Sequence, residues 1–154
     1  MRHREKGRKL GLTTSHRHMM NRQIVNSLFK YERIVTTIDR AKEFRHLAER
    51  LITRGKSMNL TNYRYVLSHL QDKVMTKKLF TEIAPRFKDR NGGYTRIMRL
   101  GGSRWSGEKK AGKWAARRLG DDGERAILEL VVRPEPEKEK GKKKKAKEKA
   151  AAKS

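Results

Sequence analysis

Residues 39–55 carry the most regular pattern in the sequence and restrict the fold more than any other segment. Their apolar side chains recur at three- and four-residue spacings, which places them on one face of an amphipathic helix. They are Ala41, Phe44, Ala48, Leu51 and Ile52. Asp39 is suited to cap the start of this helix and Gly55 to end it. Because such a face must be covered, the chain needs a second layer of structure against it.

Three segments rich in β-branched and aliphatic residues predict the strands of that layer: residues 33–38, 94–100 and 126–132. The third is mostly apolar on both faces, which favours a central position in the sheet. The number of helices between the strands is unequal. The pattern therefore predicts an α+β fold, with helices packed on one side of a small three-stranded mixed sheet and basic extensions at both ends.

The remaining helices are predicted from shorter signals. Thr14 or Ser15 is a candidate cap for a first helix, which runs to about residue 30. Its apolar face is expected to contain Met20, Ile24 and Leu28. Two shorter helices follow, and another short helix is expected at 113–119. The first of the two has the apolar residues Tyr63, Val66, Leu67 and Leu70. The second has Asp72 as its cap and the apolar residues Met75, Leu79, Phe80 and Ile83. Residues 91–93 (Asn-Gly-Gly) predict a turn.

Charge divides the chain into three parts. The 154 residues have a net charge of +24. Residues 1–18 have six lysines and arginines against one acid, and residues 135–154 have nine lysines against four glutamates, so the stretch between them carries +14. We expect a basic arm at 1–18, one α+β domain at 19–133 with a basic insertion at 101–125, and a disordered Lys/Glu/Ala-rich tail at 134–154.

This charge points to a polyanionic partner, and nucleic acid suits it better than a membrane or a small-molecule substrate. The chain has no cysteine, no phosphate-binding loop motif and no long apolar run. His16 and His18, two residues apart, do not share a helix face as metal ligands would. We therefore expect no catalytic residues, no metal and no cofactor. An inert or targeting tail is the alternative for residues 1–18, although two glycines and the lack of an apolar face argue against a transit peptide.

The candidate nucleic-acid contacts are the basic residues of the arm and first helix, together with residues around the second strand. They are Arg2, His3, Arg4, Lys6, Arg8, Lys9, His16, Arg17, His18, Arg22, Tyr94, Arg96 and Arg99. Tyr94, Trp105 and Trp114 are able to stack on unpaired bases, which suits RNA. For Tyr94, packing within the strand is an equally good interpretation. Arg96 and Arg99 should lie on opposite faces of the strand.

Several motifs in order resemble the bacterial large ribosomal subunit protein numbered seventeen. They include Met1-Arg2-His3-Arg4, Gly7-Arg8-Lys9-Leu10, Ser15-His16-Arg17, Ala41-Lys42-Glu43, Leu51-Ile52-Thr53, Asn91-Gly92-Gly93-Tyr94-Thr95-Arg96-Ile97 and Glu129-Leu130-Val131. The similarity covers about residues 1–100 and 126–133. The chain departs from the family pattern at Asp39, where proline is common, in the longer 101–125 segment and in the tail.

The resemblance implies a structural constituent of the large ribosomal subunit, located in the cytoplasm. It would bind large-subunit ribosomal RNA near the exit of the peptide tunnel, beside neighbouring ribosomal proteins. On this basis Arg2, His3, Arg4, Arg8, Lys9, His16 and Arg17 are the RNA contacts that match the opening motif. The alternative is a nucleoid-associated or general RNA- and DNA-binding protein, which the Lys- and Ala-rich tail also fits.

Overall fold

A computed structural model describes residues 7–100, 117–118 and 120–133. The elements in chain order are α1 (Thr14–Tyr31), β1 (Arg33–Thr37), α2 (Ile38–Gly55), α3 (Leu60–Leu70), α4 (Lys73–Lys78), a π-helical turn (Leu79–Ile83), α5 (Ala84–Arg86), β2 (Thr95–Arg99) and β3 (Arg125–Leu130). The predicted α+β class is confirmed. The predicted tail and Trp105 and Trp114 lie outside the described residues.

The sheet has the strand order β1-β3-β2, so the prediction that the last strand is central is confirmed. Leu128 of β3 lies opposite Ile34 of β1 and Ile97 of β2, and both pairings are antiparallel. The prediction of a mixed sheet is wrong. The helices between β1 and β2 do return the chain in the same direction, but β3 inserts between these two strands and runs opposite to both.

The apolar core lies between the sheet and the helices. α2 contacts all three strands, and α1 contacts β1 and β3. Every residue of the predicted α2 stripe is at most 1% exposed. Of these, Ala41, Ala48, Leu51 and Ile52 pack in one cluster with Phe29, Phe87, Leu128 and Leu130. The opposite face of the sheet carries Val35, which is 49% exposed, and a row of charged residues described below.

Two of the predicted helix caps are wrong and one is confirmed. α1 and α2 are preceded by Thr13 and Thr37, and neither threonine forms a side-chain capping bond. Asp39 lies instead in the first turn of α2, where a negative charge favours the helix dipole. The predicted cap at Asp72 is present, because its carboxylate accepts the backbone N–H groups of residues 74 and 75 at 2.8 and 3.1 Å.

The buried face of α1 is also rotated from the prediction. Val25, Leu28 and Phe29 are buried, whereas Met20 and Ile24 are only half-buried. The reason is that this helix packs between α2 and α3 and not against the sheet alone. The Asn-Gly-Gly turn is confirmed, since Gly92 and Gly93 have φ values of 139° and 58°. The short helix expected at 113–119 is wrong at Arg117, which pairs with Glu124 in a β-bridge.

Candidate nucleic-acid interface

The end of the basic arm lies on the first turns of α2. The Arg8 guanidinium forms an ion pair with Asp39, and the Arg8 backbone N–H donates to a carboxylate oxygen of Glu43 at 3.0 Å. Gly7 permits this approach: its φ is 102°, and a Cβ there would lie 3.3 Å from Glu43. Lys9 is exposed. The candidates Arg2, His3, Arg4 and Lys6 lie outside the described residues.

The four candidates on α1 differ in accessibility. His16 and His18 are exposed and Arg17 is half-buried, so this end of the helix presents charge and ring nitrogens to solvent. Arg22 is half-buried, and its Nε–H donates to the backbone carbonyl of His69 at 3.3 Å. That hydrogen bond joins α1 to α3, which gives Arg22 a structural contact in addition to its charge.

Tyr94 is packed inside the domain. It is 2% exposed, and its ring meets the ring of Phe87 edge-on at a centroid distance of 5.2 Å. Burial opposes ionisation of the phenol, but hydrogen bonds from Lys56 and Thr53 favour it and leave the pKa of Tyr94 below its usual value. Of the two interpretations of Tyr94, the structure supports the packed strand residue, since no base can reach this ring.

Arg96 belongs to a cross-strand row that the sequence pattern did not predict. Glu129 of β3 lies between Arg33 of β1 and Arg96 of β2, each directly opposite it in the register. Arg96 donates through Nε and Nη2 to one carboxylate oxygen at 2.9 and 2.5 Å. Arg33 Nε and Arg133 Nη2 lie 3.5 and 3.2 Å from the other oxygen. We refer to Arg33, Arg96, Arg133 and Glu129 as the Glu129 cluster.

The Glu129 cluster combines a buried acid with accessible bases. Glu129 is fully buried, whereas the side chains of Arg33, Arg96 and Arg133 are 49%, 54% and 32% exposed. A buried carboxylate requires charged partners, and one carboxylate offset by three guanidinium groups leaves a surplus of positive charge. This surplus faces away from the helices, on the outer face of the sheet.

A second basic group lies at the other end of the sheet, beside the start of α2. Arg40, Arg117, Arg118 and Arg125 line a cleft beside residues 35–37 of β1, which we call the Arg125 cleft. Its charge is partly offset, because Arg117 pairs with Asp122 and Arg118 pairs with Asp121. The hydrogen bond from Arg118 lowers the pKa of Asp121 to about 2, so this carboxylate stays ionised at neutral pH.

Arg99 lies on the opposite face of β2 from Arg96, as predicted, and at the edge of the sheet. Its Nη1 is 3.9 Å from Glu124, and both side chains are about half exposed. This loose pair leaves the guanidinium accessible to solvent.

Two other classes of site were sought within the described ranges. No three histidine, aspartate or glutamate side chains there converge as metal ligands. Among the same residues, no helix is long and apolar enough to cross a membrane.

The sequence contains one signal for the Glu129 cluster. Glu129 is the single charged residue within the apolar run at 126–132, and an acid in a buried central strand requires partners. The identity of those partners depends on the strand register, which places Glu129 opposite Arg33 of β1 and Arg96 of β2. Both arginines lie more than thirty positions earlier in the sequence. No local pattern encodes that pairing.

Comparisons with known proteins agree on one family. The family model described as Ribosomal protein L17 matches residues 20–131. Three relatives named large ribosomal subunit protein bL17 come from Trichlorobacter lovleyi, Geobacter sulfurreducens and Desulfotalea psychrophila. They are 47%, 54% and 48% identical over 85%, 66% and 85% of this chain, and the matches cover 94%, 58% and 90% of the relatives.

Proposed function

This chain belongs to the ribosomal protein L17 family, and we propose that it is a structural constituent of the large ribosomal subunit that binds and stabilises large-subunit ribosomal RNA. The family is structural and non-enzymatic. The bacterial relatives are large-subunit proteins, and that subunit lies in the cytoplasm. Neighbouring large-subunit proteins are the other expected partners.

The observation that carries the RNA-binding proposal is the exposed arginine on the outer face of the sheet. Both the Glu129 cluster and the Arg125 cleft keep guanidinium groups accessible on a folded region that has a large positive charge. Charge of one sign on a compact domain is self-repelling, and phosphate groups relieve that repulsion. The release of counterions from RNA supplies additional free energy of binding.

We assign the arm, residues 1–18, to a second contact with the same RNA. Its proposed contacts are Arg2, His3, Arg4, Lys6, Arg8, Lys9, His16, Arg17 and His18, with Arg22, Arg96 and Arg99 on the domain. Support comes from the charge of the arm and from the exposure of Lys9, His16 and His18. The position near the exit of the peptide tunnel is proposed from the family resemblance.

Sedimentation and crosslinking test this function together. In a sucrose gradient of cell extract, we expect the protein to sediment with the large subunit and to stay there after a high-salt wash. RNA crosslinked to the protein in intact cells should map to a few sites in large-subunit ribosomal RNA. Protein at the top of the gradient, or crosslinks scattered over many transcripts or recovered mainly from DNA, would support the general nucleic-acid-binding alternative.

A four-residue arm variant tests the second contact. Replacing Arg2, Arg4, Arg8 and Lys9 with alanine should weaken RNA binding and flatten its dependence on salt, by about 0.7 to 0.9 units of log–log slope for each phosphate that the arm no longer neutralises. Replacing residues 142–145, four consecutive lysines, with alanine removes the same charge from the tail. Equal slopes for the two variants would remove the arm from the proposed mechanism.

A further inference from the structure

We propose that Glu129 is a positioning residue that aims Arg33, Arg96 and Arg133 at phosphate groups of RNA on the outer face of the sheet. This inference rests on the proposed function and identifies the residue that organises its RNA-binding surface on the sheet. Arg33 and Arg96 are far from Glu129 in the sequence and meet it only because β3 lies between β1 and β2, whereas Arg133 follows Glu129 by four residues. Glu129 does not contact RNA in this arrangement, since its side chain is fully buried.

The geometry leaves most of the arginine donors available. A carboxylate has about four acceptor sites and each guanidinium about five N–H donors, so Glu129 satisfies only a minority of the donors around it. Arg33 and Arg96 are two strands apart, about 10 Å between their backbones, yet both reach the same carboxylate. Arg96 is held by two hydrogen bonds to Oε1, while Arg33 and Arg133 lie within ion-pair distance of Oε2. These contacts restrict the guanidinium groups before any ligand arrives, which reduces the entropy lost on binding.

Fixed guanidinium groups suit phosphate in particular. Arginine presents paired N–H donors that match two phosphate oxygens, whereas lysine acts as a point charge. Three half-exposed arginines at one end of the sheet can thus hold an RNA backbone in one orientation. The same number of mobile lysines would supply charge without orientation.

The rest of the outer face extends this surface. Next to the Glu129 cluster lies an apolar row of Val35, Ile127 and Met98, which face one another across the three strands. Beyond this row lies Arg125, which lines the Arg125 cleft. Four residues along a strand span about 13 Å, so two basic ends flank a short apolar strip. An RNA backbone that crosses the strip meets phosphate-binding groups on both sides.

Charge favours RNA over a protein partner for this face. Exposed Arg33 and Arg96 lie at one end of the apolar row and half-buried Arg125 lies at the other, and within the row Val35 is the most exposed side chain. A protein partner would need an acidic surface to match this surplus of positive charge, whereas phosphate groups supply negative charge along the whole RNA backbone. Binding of a neighbouring ribosomal protein to this face is therefore an outcome that the experiment must detect, and it would overturn the inference.

The test measures binding of the full-length protein to protein-free large-subunit ribosomal RNA at several salt concentrations. The double variant Arg33→Lys/Arg96→Lys keeps every charge but loses the paired donors. We expect it to bind about fivefold more weakly, as for the loss of one charge-assisted hydrogen bond at half-exposed sites. The matched control is Arg50→Lys/Arg64→Lys, at exposed positions of α2 and α3, which should bind like the wild type.

Glu129→Gln separates positioning from charge by the sign of its effect. Removing a negative charge should tighten RNA binding about twofold if only net charge matters. If Glu129 positions the arginines, binding should weaken instead. Glu124→Gln removes the same charge at an exposed, loosely paired site, so it should bind RNA as tightly as the wild type or more tightly. If Glu129→Gln does not melt cooperatively, the lysine double variant decides the question.

Each result has one meaning. Wild-type affinity in the lysine double variant, or tighter binding by a folded Glu129→Gln protein, would overturn the inference. The inference would also be overturned if either variant bound RNA like the wild type but was lost from assembled subunits, because that result would indicate a protein partner. If the wild-type chain itself binds this RNA no better than duplex DNA, the proposed function fails, and it does so separately from the role of Glu129.

Discussion

Replacing Glu32 with alanine tests how the end of α1 is joined to the segment that precedes β2. Glu32 is 7% exposed and follows α1 with a left-handed φ of 58°. Its backbone N–H donates to Leu28 at 2.7 Å. Its two carboxylate oxygens accept from Arg86 at 2.8 and 3.0 Å, which forms a bidentate pair. The pair links residues that are 54 positions apart, so its loss should destabilise the tertiary structure and not α1 alone.

The expected magnitude follows from burial and backbone geometry. Removing one partner of a fully buried pair costs about 3–5 kcal/mol. The Arg86 side chain is 23% exposed, so water partly compensates, and we expect Glu32→Ala to cost about 2–3 kcal/mol. Glycine loses the same pair, but it relieves a left-handed conformation that costs other residues about 1–2 kcal/mol. Glu32→Gly should therefore cost only about 1–2 kcal/mol.

Urea unfolding followed by far-UV circular dichroism measures these differences. For a domain of this size, the denaturation midpoint should fall by about 1–2 M for Glu32→Ala and by less for Glu32→Gly. Glu124→Ala is the control, since its exposed pair with Arg99 spans 3.9 Å and should contribute under about 0.5 kcal/mol. A Glu32→Ala midpoint equal to that of the control, or a glycine variant less stable than the alanine variant, would refute the reasoning.

Three further predictions concern stability and use the same measurement. Gly55→Ala should cost about 1–3 kcal/mol, because its Cβ would lie 3.1 Å from Ala84 and 3.3 Å from Leu79. Gly123→Ala, with its nearest contacts at 3.4 Å or more, is the control and should change little. Leu128→Ala should cost about 2–5 kcal/mol, because this residue is 1% exposed at the centre of the sheet. Deleting residues 135–154 should leave cooperative unfolding unchanged, and loss of cooperativity would show that the tail contributes to the fold.

Local patterns predicted most of the fold, although two helix caps were misplaced, and pairings between distant residues account for the error in the sheet. The α2 stripe, the Asp72 cap and the glycine turn each depend on residues within a few positions of one another. The direction of β3 depends on where it inserts between β1 and β2, and periodicity carries no information on that. Gly55 shows the same limit. It ends α2 as predicted, but it is also buried against Leu79 and Ala84. This close packing favours glycine, and the residues next to Gly55 in the sequence do not reveal it.

The candidate interface divides in the same way. The basic character of the chain and the candidates on the arm follow from composition, whereas the Glu129 cluster exists only in the folded sheet. Arg33 and Arg96 appear in the sequence as ordinary exposed bases on separate strands. Antiparallel pairing with β3 brings both against Glu129. Tyr94 shows the opposite case. The sequence made it a candidate for stacking on a base, but in the folded domain its ring is buried in the core.

Glu129 also reduces the repulsion among the arginines on this face of the sheet. Without an acid at the central position, Arg33, Arg96 and Arg133 would repel one another on the same face of three adjacent segments. Glu129 offsets part of that repulsion and leaves a positive surplus. If phosphate then binds the surplus, binding must stabilise the folded state by an amount that grows with the logarithm of its affinity. The residue that we propose to orient the arginines for RNA should therefore also contribute to the stability of the sheet in the absence of RNA.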